Sequence, residues 1–95
     1  MRIVWKRQTA YRYTGNNGAN REYEIEIVGG GGSFRGVANC KQDGRHYGAV
    51  GACSSSMPGA LISVLNSLKR MCKDFDDGAN CTDDISDDAA KLLNI

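Results

Sequence analysis

Histidine, proline and tryptophan each occur once in this chain, and none of the four cysteines forms a CxxC pair. Each scarcity narrows the chemistry on offer. Around a lone histidine, His46, no nucleophile, base and orienting acid can be assembled at a recognisable spacing. Zinc needs four converging ligands, usually in close sequence pairs, and Cys40, Cys53, Cys72 and Cys81 do not supply them. Long apolar runs are missing too: no segment approaches the roughly 18 residues of a membrane span. The opening MRIVWKRQ carries three cations with no apolar run behind it, so no signal peptide is expected and a cytosolic (cytoplasmic) setting is. At 95 residues the chain makes one domain, too small for a deep cleft between two. Asp74, Asp76, Asp77 and Gly78 have the look of a calcium loop, but the glycine falls one place early and no glutamate closes it. Neither an enzyme nor a metal or cofactor site is expected.

What is present is a strong division of charge. Residues 1–73 hold 11 of the 12 basic residues against Glu22, Glu24, Glu26 and Asp43, a net +7; residues 74–95 hold seven aspartates against Lys91 alone, a net −6. A basic body over residues 1–75 therefore carries an acidic tail over 76–95. That tail is either a solvated end, a cover folded back over the basic surface, or a set of carboxylates for a basic partner.

Hydrophobic periodicity divides the body into strands and one helix. Ile3, Trp5, Tyr11 and Tyr13 alternate with Arg2, Lys6, Gln8 and Arg12, which predicts a long first strand with one buried face. A turn-rich stretch at 15–20 precedes a second strand, where Glu22, Glu24 and Glu26 alternate with Tyr23, Ile25 and Ile27. Four glycines at 29–32 then reverse the chain as a flexible hairpin tip, with no helix behind them to form a phosphate cradle. Strands at 33–42 and 45–53 meet at Asp43-Gly44, a tight-turn dipeptide. Setting Gln42 opposite Arg45 puts Cys40 opposite Tyr47 and Phe34 opposite Cys53. One face of that hairpin then carries Gly36, Ala38, Ala49 and Gly51, small enough for a helix to approach closely.

Residues 57–75 supply that helix. Leu61, Val64, Leu65, Leu68, Met71, Cys72 and Phe75 fall at spacings of three and four, Ser55 or Ser56 can cap the start, and Pro58 suits the first turn. The expected fold is α+β: a four-stranded antiparallel meander, this amphipathic helix across one face, and a short C-terminal helix near 84–93. Ile3, Trp5, Tyr23, Ile25, Ile27, Phe34 and Tyr47 join the helix stripe in the core. The first and fourth strands are the expected edges, open to a homodimer or a partner's sheet. Matching helix rise to strand rise sets Cys72 level with Tyr47 and Cys40. The cysteines are read as buried thiols, or as a disulfide joining Cys72 to Cys40 or to Cys81.

Pairing Ile27 with Phe34 through the glycine tip places Glu26 opposite Arg35 on the outer face, a mixed-charge lattice poorly suited to lying on phosphates. Trp5 and the tyrosines at 11, 13 and 23, interleaved with Arg7 and Arg12, suit base stacking in principle, and core packing better.

Two resemblances bear on function. The segment SFRGVANCKQDGRHYGAVGACSSSMPGALISVLNSL is similar in layout to the last two strands and helix of double-stranded-RNA-binding domains and of AP2-type DNA-binding domains. In this chain Met57-Pro58-Gly59-Ala60 replaces the lysine pair that starts the RNA-binding helix, and glutamates stand where an AP2-type sheet carries arginines and tryptophans. That resemblance implies a nucleic-acid-binding module using Arg2, Lys6, Arg12, Arg35, Lys41 and Arg45. The segment GAVGACSSSMPGAL with its following helix resembles small phage-encoded proteins, including anti-CRISPR inhibitors. This second resemblance implies a non-enzymatic phage or mobile-element protein that occupies a surface of a host defence complex, a protein or ribonucleoprotein. Since such complexes hold nucleic acid in basic grooves, Asp74, Asp76, Asp77, Asp83, Asp84, Asp87 and Asp88 become the candidates for a phosphate-mimicking contact. It is the favoured reading, with the nucleic-acid-binding module as the alternative.

Overall fold

A computed structural model describes residues 2–14, 20–42, 45–75 and 82–93. Within them the chain runs β1 (Arg2–Thr14), β2 (Asn20–Gly30), β3 (Ser33–Gln42), β4 (Arg45–Val50), α1 (Met57–Phe75), β5 (Thr82–Ile85) and α2 (Asp87–Leu93). The first four strands form the expected antiparallel meander, α1 packs across one face, and α2 is the short C-terminal helix. A fifth strand extends the sheet, in the order β4-β3-β2-β1-β5. It comes from the tail, so β1 is an open edge only in part: β5 pairs with Tyr11, Arg12, Tyr13 and Thr14, and among the described residues no strand pairs with the free side of the first half of β1.

The β3–β4 register is the one set by Asp43-Gly44, with Gln42 opposite Arg45 and Cys40 opposite Tyr47. It holds to Val37 opposite Val50; β4 ends there, and Phe34 then bridges Ser54 rather than Cys53. The β2–β3 register is displaced by two residues from expectation. Gly31 and Gly32 both take positive φ, 62° and 78°, forming a tight two-residue turn that lets the strands run on through Gly29 and Gly30. Ile27 therefore faces Gly36, and Glu26 faces Val37 rather than Arg35. A slip of two keeps every side chain on its original face, so the burial pattern survives.

On β1 the pairing is irregular at two places. Val4 is extra between Ile3 and Trp5, and three residues, Gln8, Thr9 and Ala10, oppose Glu24 alone. The first irregularity turns Ile3 to the outer face, where it is 51% exposed instead of buried. The second adds two residues to β1, which keeps Tyr11 and Tyr13 on the covered face and shifts the register so that Tyr11 meets Tyr23; both tyrosines of β1 are nearly fully buried.

The covered face is closed by small residues and one helix stripe. Leu61, Val64, Leu65 and Leu68 are buried, with Ala60 beside them and Met71 half-buried. Close approach depends on Gly36 and Gly51: a Cβ at Gly36 would lie 2.6 Å from Val64 Cγ1, and one at Gly51 2.6 Å from the Val64 backbone nitrogen. Ser56 caps α1, its Oγ accepting from the Gly59 N–H at 3.1 Å. Across the sheet the same core continues into Ile25, Ile27, Tyr23 and Tyr11, whose tyrosine rings lie 5.7 Å apart at a tilt. Trp5 and Phe34 are half-buried at its margin.

Candidate functional site

Among the described residues no helix covers the outer face of the sheet, and strand alternation gives that face the three glutamates of β2. Lys6 on β1 lies between two of them, its Nζ 3.6 Å from Glu24 and 3.4 Å from Glu26. Arg12 reaches Glu22 at 3.4 Å. The expected lattice of mixed charge is present, and among the described residues its cations come from β1 and not from Arg35. Gln8 and Thr9, carried outward by the β1 irregularity, join Asn39 in lining a shallow concavity of about 750 Å³ above these charges. Toward the glycine turn the same face becomes aliphatic: Ile3 pairs with Val28, and Val37 with Val50, which is 57% exposed.

The cations of the nucleic-acid reading are not gathered. Lys6 and Arg12 are engaged with glutamates. Arg35, exposed and opposite Val28, donates to Cys53 Sγ at 3.2 Å. Arg2 pairs with Gly29 at one end of the sheet, whereas Arg45 pairs with Gln42 at the other. From Phe34, which faces Gly29, to Gln42 is eight strand residues, or roughly 26 Å. Lys41 is placed by its backbone opposite His46. Tyr11, Tyr13 and Tyr23 are buried and present no ring to a base.

The acidic candidates divide differently. Asp83 and Asp84 stand in β5, in register with Tyr13 and Arg12. Asp87 and Asp88 open α2, both exposed, and Asp88 accepts from Arg7 Nε at 2.7 Å. Ser86 joins strand to helix: its N–H donates to Ala10 O at 2.9 Å, and its Oγ accepts from the Ala89 N–H at 3.2 Å. Ala89 and Leu92 are buried, so part of the tail folds back onto the body. Asp74 lies in the last turn of α1, while Asp76, Asp77 and Cys81 fall outside the described residues.

Arg7, read in the sequence only as a residue interleaved with the aromatics, makes an ion pair to the tail. It sits opposite Ile25, so it lies on the helix side of the sheet, with its guanidinium 5.9 Å from the Trp5 ring centroid as well as bonded to Asp88. The sequence signal was available: a cation at an odd position in a strand whose other odd positions are mostly apolar.

Cys40 is buried and Cys53 exposed; the side chain of Cys72 and the whole of Cys81 lie outside the description, and with them both disulfide pairings. Among the described residues no cluster of three or more His, Cys, Asp or Glu is arranged to hold a metal ion. No described helix is long and apolar enough to cross a membrane. No family model, no curated protein and no solved structure matches the chain.

Proposed function

We propose that this chain is a non-enzymatic binding protein that acts by occupying a basic surface of its partner. The observation that carries the reading is the disposition of charge. Lys6 and Arg12 are met by glutamates of the same sheet, while the backbone of Asp83 and Asp84 runs in β5 along the sheet edge and Asp87 and Asp88 open α2 beside it. Acidic residues borne on ordered backbone can compete for a groove that otherwise holds phosphates, because less ordering entropy is lost on binding than from a loose end. The resemblance to small phage-encoded inhibitors supplies the partner class, a host defence complex that handles nucleic acid.

The same geometry narrows the acidic contact set. Asp88 is already engaged with Arg7 and Asp84 stands in register with Arg12, so Asp83 and Asp87 are the better residues to test. Expressed in an immune bacterial host, the chain should raise the plating efficiency of a targeted phage, and Asp83→Lys with Asp87→Lys should abolish that rise without changing the urea midpoint. No rise, or an undiminished rise with the double variant, sinks the proposal. The alternative, a nucleic-acid-binding module, predicts salt-sensitive anisotropy changes with labelled duplexes between about 50 and 200 mM salt.

A further inference from the structure

From Arg2 to Thr9 every side chain of β1 lies at least partly in solvent, and among the described residues no strand pairs with the free side of this half. The segment 76–81 ends at Thr82, beside Thr14 and about 23 Å from the level of Trp5, so it is too short both to reach the free half and to run along it. One main-chain group here, the Lys6 carbonyl, accepts from a side chain instead, Arg7 Nη1 at 3.0 Å. Sheet edges are commonly guarded by cations that project past them. In this chain Lys6 is drawn over the outer face by Glu24 and Glu26, and Arg7 to the covered side by Asp88. What remains toward the start of the strand is apolar: Ile3 and Val4 are exposed and Trp5 is half-buried.

We propose that this half-edge pairs with the same segment of a second copy, antiparallel about a two-fold axis between Val4 and Trp5. Ser86 closes the slot at Ala10, so only residues 2–9 take part. Opposed residues must share a face of the sheet. Arg2, Trp5 and Arg7 lie on the covered side, opposite Gly29, Ile27 and Ile25, whereas Ile3 and Lys6 lie outside, opposite Val28 and Glu26. Two registers of useful length keep those faces matched. One sets Lys6 against Lys6 and drives Arg2 into the place that Ser86 holds. The other pairs Arg2 with Arg7 and Ile3 with Lys6, and brings Val4 against Trp5 at the axis. In that register Arg2 of the second copy comes beside Arg7, about 10 Å along the edge from Ser86, where α2 begins. Asp88 holds Arg7 through Oδ2 and can take Arg2 of the second copy through Oδ1. The contact is then apolar at its centre and charged at both ends, as a small symmetric interface requires.

Sedimentation velocity of the full chain over about 1–200 μM, the range in which a small interface associates, should show a monomer–dimer equilibrium. Val4→Asp sets like charges on either side of the axis and removes the apolar contact twice by symmetry, so it should weaken the dimer about tenfold or more. Arg2→Glu puts an anion against Asp88 and should weaken it by about threefold at low salt, and less at high salt. Both positions are exposed, and circular dichroism with urea unfolding establishes that the variants remain folded. Trp5 is the only tryptophan, so its emission should move to the blue as the chain is concentrated. Hydrogen exchange should slow on concentration at the amides of residues 2–9, and not at those of β4.

A chain that stays monomeric across the range overturns the proposal and leaves the edge to a strand of another protein. So does a dimer that Val4→Asp leaves intact, or protection that appears at β4, which would place the contact on the opposite edge. The pairing goes beyond the inhibitor reading and does not depend on it. A chain that dimerises through β1 but gives no protection to phage would remove that reading and leave this contact standing.

Discussion

The two faces of the sheet are made by the same strands and held by different physics. On the covered face glycine and alanine let α1 approach until Val64 touches backbone, and the contacts are apolar and tightly packed. On the open face the side chains are long, charged and half-wet, and they meet as ion pairs of 3.4–3.6 Å. Stability is concentrated on the first face, because buried apolar area is worth far more than screened charge pairs. The second face adds little to that total. Substitutions on either side should show that separation directly.

The largest effect belongs to the covered face. Leu68 is fully buried in the α1 stripe, and truncation to alanine should cost about 2–5 kcal/mol by urea unfolding. A loss below about 1 kcal/mol would mean that the helix is not the main source of stability. Gly51→Ala should come next, at about 1–3 kcal/mol, because its new methyl meets the backbone of α1, which cannot swing aside as a side chain can. The conservative direction of that change makes it informative: in an ordinary exposed strand, glycine to alanine is neutral or helpful. A gain in stability would show that the strand-to-helix approach is looser than the fold requires.

Most of the covered face could be read from the sequence, and most of the charge geometry of the open face could not. Helix periodicity gave the stripe from Leu61 to Leu68, and the small residues at 36, 38, 49 and 51 announced where it would lie, since both signals are local and repeat at a fixed period. Asp43-Gly44 set the β3–β4 register because that dipeptide selects a short turn. The four glycines carried no comparable instruction: several turn lengths satisfy them, and the pair adopted, Gly31-Gly32, moved the β2–β3 register by two. The irregularities at Val4 and at Gln8, Thr9 and Ala10 were likewise unmarked, beyond a lapse in alternation through Arg7 and Thr9. They decide which cation meets which glutamate. Ion-pair partners across strands are a property of register, and register is the least local feature of a sheet. The return of the tail as β5 was hidden for a related reason: four residues reading TDDI have little strand character until β1 offers them an edge.

That tail lies between the two faces in its energetics as well as its position. Ser86 bonds the body through its N–H and caps α2 through its hydroxyl. Ser86→Ala removes the cap alone and should cost about 1 kcal/mol. The loss should appear as faster hydrogen exchange at the amides of α2, with those of α1 unaffected, since local opening needs less than the global free energy. Equal acceleration in α1 would show that tail and body unfold as one unit.

The smallest effect should come from the centre of the open face. Lys6 contacts two carboxylates, and a count of contacts would rank it above Ser86. Its side chain is nevertheless 45% exposed, neither contact is shorter than 3.4 Å, and a long flexible side chain loses rotamer freedom to hold that position. Lys6→Ala should therefore change unfolding free energy by no more than about 0.5 kcal/mol at moderate salt. It also leaves Glu24 and Glu26 side by side without that ammonium, so any destabilisation should shrink as salt is raised and their repulsion is screened. A loss above about 1 kcal/mol that salt does not relieve would mean that the lysine stem, rather than its charge, is packed into the fold. In that event the open face contributes to stability as the covered one does, and the distinction between them fails at its centre.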